Sequence, residues 1–173
     1  MPHIYGTMTD IRALWKALSL VALLVIVGCT QKSETEVSEG TVIEVIDGDT
    51  VDLSIAGSRQ RVRLIGIDTP ETKHPTKPVE CYGPEATSFT ESLLARGTKI
   101  RIERDLEARD TYGRLLVYLY RVSDNLFINL ELVLQGYAHV LTIEPNLAHL
   151  DKFVAASRDA HSNGRGLWQV CRG

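Results

Sequence analysis

No apolar run in this chain is long enough to cross a bilayer comfortably. The longest, Ala17 to Val27 (ALSLVALLVIV), is uncharged but only eleven residues long, against about 20 for a spanning helix. There is no CxxC and no Cys/His cluster, which argues against a zinc site. An excess of positive charge is also missing: 19 Lys and Arg stand against 22 Asp and Glu, a net charge of −3. A protein that holds nucleic acid by bulk charge has the opposite balance. Any recognition of phosphate must therefore be local, and a bound cation would assist it. No internal repeat is present.

The short apolar run follows Arg12 and Lys16 and ends at Gly28-Cys29. A basic start, a brief apolar stretch and a small residue at the break describe a secretory signal. Ile26-Val27-Gly28-Cys29 resembles the lipobox of bacterial lipoproteins, which implies cleavage before Cys29 and lipidation of that residue. An ordinary cleaved signal and an uncleaved anchor are the alternatives, and Met8 is an alternative start. The expected destination is the cell envelope, as a lipid-anchored or secreted protein. Thr30 to Glu39 (TQKSETEVSE) has one apolar residue and reads as a tether. The expected organisation is a signal over 1–28, a tether over 29–39 and one domain over 40–173. Loss of the signal with Arg12, Lys16 and Asp10 takes the net charge to about −4, so the domain stays acidic.

With Cys29 lipidated, Cys81 and Cys171 remain. Two cysteines in an exported domain suggest one disulfide. It would close a loop of roughly 90 residues and contribute ~4 kcal/mol on the chain-entropy estimate. Two free buried thiols are the alternative.

Thr41 to Ile46 is β-rich, and the turn Asp47-Gly48-Asp49 follows. Val51, Leu53 and Ile55 alternate with Asp52 and Ser54 as a half-buried strand. Arg59 to Ile67 makes a third strand after a tight turn. Gly83-Pro84 starts a helix with Ala86, Phe89 and Leu93 on its apolar face and Gly97 as its cap. Lys99–Arg104 and Tyr112–Arg121 read as the fourth and fifth strands. A helix is expected over Asn125–Gln135 and a short extended piece over Tyr137–Ile143. A last helix starts at Pro145-Asn146, with Leu147, Leu150 and Val154 facing the core. The fold class is mainly β with helices (α+β): a five-stranded barrel of the OB type with three α-helices. An open antiparallel α+β sheet is the alternative.

Polar residues gather at the ends of these strands. Asp47 and Asp49 flank Gly48; Asp68 and Glu71 close the third strand in VRLIGIDTPETKHP; Arg63 lies within it; Arg114 opens the fifth. Oxygen ligands without His or Cys favour a hard cation, Ca²⁺ or Mg²⁺. Two Asp from different strands and a turn carbonyl can hold such an ion. Two Arg can clamp a phosphate, and the remaining Glu can act as a base on water. That set suits phosphodiester hydrolysis. Each piece alone has a plainer reading: DGD as a hairpin turn, DTPE as a turn with an incidental acid, Arg63 as a solvated barrel position, Arg114 as a strand start.

VIDGDTVDL, VRLIGIDTPETKHP, ECYGPEA and DTYGRLLVYLY together resemble the staphylococcal nuclease (thermonuclease) family, collinearly from about Thr41 to Trp168. The resemblance implies an OB barrel with three helices and cleavage of DNA and RNA with one Ca²⁺ at the 5′ P–O bond, leaving 3′-phosphates. It implies Asp49 and Asp68 as calcium ligands and Thr69 as a carbonyl ligand. Glu71 falls on the general-base position, and Arg63 and Arg114 on the phosphate-binding arginines. Asp47 is expected to orient the first turn, and Lys77 and Tyr112 are weaker candidates for holding substrate. DNA and RNA are the expected partners, with the membrane met through the lipid anchor and the domain acting as a monomer. Two features depart from the staphylococcal enzyme: no tyrosines follow Leu141, where the chain reads LTIEPN, and Thr111 stands where that enzyme has Lys. His74 and His139 are given no catalytic role. A non-enzymatic nucleic-acid-binding OB domain is the competing reading.

Overall fold

Alternation of apolar residues builds the first three strands, and two tight turns make them a meander. The computed structural model describes residues 37–73, 76 and 78–171. β1 (Val37–Asp47) pairs antiparallel with β2 (Thr50–Ile55), and β2 with β3 (Ser58–Leu64). β1 begins three residues before the expected domain start and pairs Val37 with Glu103. After β4 (Ile67–Asp68) and helix α1 (Gly83–Leu93), β5 (Lys99–Glu103) adds to the far edge of β1, and β6 (Leu115–Arg121) to β5. Parallel pairing of β3 with β6, from Val62–Leu115 to Leu64–Val117, closes the five-stranded barrel.

The interior is aliphatic. Val51, Leu53, Val62, Leu64, Ile100, Val117 and Leu119 are fully buried, each burial stabilising by about 1.5–3 kcal/mol. Asp52 points away from this core yet is only 1% exposed. Arg59 and Arg61 lie over it and bond both its oxygens, at 2.6–3.0 Å. Their guanidinium groups hold its carboxyl below the usual range, Arg61 most strongly, against the upward push of burial.

β7 (Leu126–Phe127) pairs with β6 and leads into α2 (Ile128–Leu134). β8 (His139–Val140) pairs with β4, and α3 (Leu150–Ser162) and α4 (Leu167–Val170) follow. Asn129 is fully buried on α2. Its oxygen accepts the Leu119 N–H at 3.0 Å, and its amide donates to Ile65 O and Val117 O at 3.0 and 3.2 Å. It thus joins α2 to both strands that close the barrel.

Several boundaries differ from the expectations, each for a local reason. The described residues hold four helices, the short α4 being the addition. Residues 125–127 are not helical: Asn125 takes a left-handed conformation (φ 55) that turns the chain back along β6, which Asn tolerates. The last helix starts at Leu150, because Asn146 bonds the backbone of Glu107 through both its amide atoms, at 2.8 and 3.1 Å. Its core face is Phe153, Ala156 and Ala160, with Leu147 on the surface. β6 starts at Leu115 because Asp110 turns residues 110–114. α1 ends at Leu93; Gly97 (φ 89) sits in the following turn and donates to Val42 O. The third strand breaks at Gly66 (φ 80), where a Cβ would collide with Phe153. That break sets off β4 and its terminal Asp68.

Candidate functional site

The DGD turn becomes a site because three elements meet over it. Gly48 lies flat under Thr69, and a Cβ there would be 2.6 Å from the Thr69 hydroxyl, so only glycine fits. Thr90, fully buried on α1, donates to Gly48 O at 2.6 Å. Asp49 is 7% exposed and receives the Thr69 N–H and hydroxyl on one oxygen, at 2.9 and 3.0 Å. Its other oxygen takes the Thr50 hydroxyl at 3.1 Å.

The β2–β3 register sets Arg63 opposite Thr50, beside Asp49. The Arg63 guanidinium lies 3.1 Å from Asp49 and 2.7 Å from Asp68, and it also donates to Leu64 O and Ile67 O. One cation thus bridges two carboxylates, one from the first hairpin turn and one from the end of β4. Asp68 is half-exposed. Burial pushes its carboxyl above the usual range; Arg63 pulls it back, and nearby Asp49 and Glu80 add to the push.

Asp47 forms a second group with Glu71. Its Oδ1 accepts the Gly48 N–H, the Thr72 hydroxyl and the Thr87 hydroxyl at 2.8–3.0 Å, tying the turn to the Glu71 loop and to α1. Burial pushes Asp47 upward, but hydrogen bonds from Glu71, Thr72, Gly48 and Thr87 outweigh it and hold the carboxyl below the usual range. Glu71 is raised, first by its hydrogen bond to Asp47 and then by burial. The two carboxyls are therefore pushed apart, Asp47 downward and Glu71 upward.

Arg114 is aimed by Asp110, which takes its Nε–H at 2.7 Å and its backbone N–H at 2.9 Å. Tyr112, 83% exposed, has its ring 5.5 Å from the Arg114 guanidinium. Arg63 and Arg114 line one cleft of about 360 Å³, whose walls include Ile67, Tyr112, Leu141 and Ile143. Two cationic side chains beside apolar walls can hold a phosphate and the flat group attached to it.

The structure brings Arg63, Asp49, Asp68 and Thr69 together, sets Glu71 on Asp47, and joins Arg114 to Arg63 across the cleft. Cys81 and Cys171 are bonded, with sulfurs 2.02 Å apart. Lys77, His74 and Cys29, with the signal and most of the tether, lie outside the described residues. Sequence reasoning missed Thr72, Thr87, Thr90, Glu80 and Asp110. Asp110 was findable, standing two residues before Tyr112 in DTYGR, the spacing of an Asx turn. The threonines act across 25 to 42 residues of chain and leave no local signal.

Among the described residues no three His, Cys, Asp or Glu side chains form a ready metal cluster. Asp49, Asp68 and Thr69 offer oxygen donors only, converging where one guanidinium faces two carboxylates. That donor set fits a hard divalent cation whose remaining ligands are water.

Residues 61–170 match the family model for staphylococcal nuclease homologues. The chain is 38% identical over 127 residues to a thermonuclease of Staphylococcus hyicus, covering 73% of each protein. It is 38% identical over 144 residues to a thermonuclease of Staphylococcus intermedius, covering 82% of this chain and 84% of that one. Endonuclease YncB of Bacillus subtilis is 34% identical over 139 residues, 79% of this chain and 64% of its own length. With its barrel closed by the expected strands, this chain belongs to the staphylococcal nuclease family.

Proposed function

We propose that the protein is a phosphodiesterase that hydrolyses DNA and RNA at the 5′ P–O bond with little sequence specificity, giving 3′-phosphate ends. The observation that carries this reading is the placement of Arg63, which bonds both Asp49 and Asp68 while lining one cleft with Arg114. The two guanidinium groups bind the scissile phosphate and stabilise the charge that grows on it. Asp49, Asp68 and the Thr69 carbonyl would hold one Ca²⁺, which when bound supplies further charge neutralisation at the phosphate. Glu71 accepts the proton of the attacking water in its ionised form, and Asp47 holds its carboxyl in place. Names of nucleases among the relatives support the reaction class. The disulfide supports an oxidising location, and with the lipobox-like stretch it favours an envelope lipoprotein working outside the cytoplasm as a monomer.

The test is cleavage of DNA and of RNA by the purified chain with Ca²⁺, with Mg²⁺ and with chelator. Cleavage that requires Ca²⁺ and leaves 3′-phosphate ends is expected. Binding without cleavage by the folded chain would replace the enzyme with a nucleic-acid-binding module.

A further inference from the structure

Helix α4 is firmly seated. Leu167 is 3% exposed, and its N–H donates to Gly136 O at 2.9 Å. Gly136 and Gly166 approach so closely that a Cβ on either would collide with the backbone around the other. Cys171 follows directly and is bonded to Cys81, 90 residues away in sequence. Cys81 ends the loop that Glu71 begins.

The residues on either side of Cys81 hold the backbone of Glu71. Before it, Glu80 accepts the Glu71 N–H on Oε2 at 3.0 Å and donates its own N–H to Glu71 O at 2.9 Å. After it, Tyr82 takes a left-handed conformation (φ 70) and stacks on Tyr137, ring centres 5.3 Å apart. Gly83 then packs under the turn. A Cβ there would lie 3.0 and 3.1 Å from the carbonyl oxygens of Pro70 and Glu71. Glu71 and Glu80 are not deeply buried, so water competes for the bonds between them, and such bonds open readily unless the chain is held elsewhere. The disulfide is that hold, and it runs to a rigid part of the fold.

We propose that the Cys81–Cys171 disulfide is a positioning device for Glu71, and that its reduction by a dithiol lowers turnover without unfolding the chain. This rests on the reading of Glu71 as the proton acceptor. The chemistry is a two-electron exchange. A thiolate of the reductant attacks one sulfur to form a mixed disulfide, and its second thiol displaces the other. The products are the Cys81 and Cys171 thiols and the oxidised cyclic disulfide of the reductant. Mispositioning by about an ångström costs up to 10²-fold in rate, while the two arginines that bind substrate lie outside the Glu71–Cys81 segment. The effect therefore falls on kcat and spares KM.

The experiment compares the oxidised chain, the dithiol-reduced chain and the Cys81→Ser/Cys171→Ser variant on single-stranded DNA with Ca²⁺, each shown to be folded by circular dichroism. Expected is a fall in kcat of about tenfold or more with KM changed by less than about twofold. The wild-type loss is restored by reoxidation, and the variant is indifferent to reductant. Hydrogen exchange at the Glu71 amide is read in parallel and should speed up on reduction. If the variant does not fold, Glu80→Ala keeps the disulfide and removes the acceptor of that amide; the same loss of kcat is expected. Unchanged kcat and unchanged Glu71 exchange in the folded, reduced chain would overturn the proposal and leave the disulfide a stabilising link only. An inactive oxidised chain would count against the nuclease reading instead, and the exchange measurement would still decide the positioning role.

Discussion

Thr69 donates both its backbone N–H and its hydroxyl to the same oxygen of Asp49, Oδ2, at 2.9 and 3.0 Å. The end of β4 is thereby locked over the first hairpin, 20 residues earlier in the chain. The lock requires Gly48 beneath it, since any Cβ there would meet the Thr69 side chain. It fixes Asp49 beside Arg63 and keeps a buried carboxylate fully bonded, which offsets the cost of burying it.

Asp49→Asn removes one of the two charges on the oxygen donors and should weaken Ca²⁺ binding by about tenfold or more, because ligand charge sets affinity at such sites. Titration calorimetry of the two proteins with Ca²⁺ checks it. Equal affinity would place the ion elsewhere.

Glu71→Gln keeps the shape of the side chain and removes its ability to take a proton. Turnover should drop by about 10²–10⁴-fold, as when a positioned base is lost, with the thermal midpoint nearly unchanged. A rate close to that of the unsubstituted chain would remove Glu71 from the chemistry.

Asn129→Leu leaves the Leu119 N–H and two backbone carbonyls without their buried partner. A loss of about 2–4 kcal/mol is expected from unsatisfied buried groups, read from urea unfolding. A change below about 1 kcal/mol would mean that the barrel closes without this bridge.

Asp52 gives a pH test of the barrel itself. Its carboxyl is held below the usual range in the folded protein by Arg61 and Arg59, against about 3.9 in an unfolded chain. Its contribution to stability is therefore complete above the unfolded value and is lost as pH falls through the lower, folded one. Stability should decline more steeply in that acid window for the unsubstituted chain than for Asp52→Asn. Parallel curves would show that the ion cluster contributes nothing.

Cys29 is checked by mass spectrometry of the exported protein. A diacylglyceryl adduct on a new N-terminus at Cys29 is the expected result. An unmodified terminus would replace the lipoprotein with a simple secreted form.

Much of the barrel was legible because strands announce themselves locally. The alternation at Val51, Leu53 and Ile55 and the DGD turn are short-range signals, whereas the break at Gly66, inside the strand expected over Arg59–Ile67, follows from the packing of Phe153 against it. The helix after Gln135 was harder. Pro145-Asn146 looks like a helix start, but the Asn146 amide is spent on Glu107, 39 residues away. Asn125 looks like part of a helix until the two residues after it, Leu126 and Phe127, are paired with β6.

The sequence by itself determined the residue types of the site and their order along the chain, because turn and strand chemistry places Asp49, Asp68 and Glu71 at turns and strand ends and Arg63 within the third strand. It also determined that no strong net charge could do the work of binding. Only the tertiary structure decided which of these groups share an environment. Arg63 meets both Asp49 and Asp68 because β3 lies beside β2 in one register and breaks at Gly66. The Glu71 carboxyl is held above its usual range because Asp47, at the end of β1, sits against it. A carboxyl's charge state depends on burial and neighbours, and both are properties of the folded arrangement.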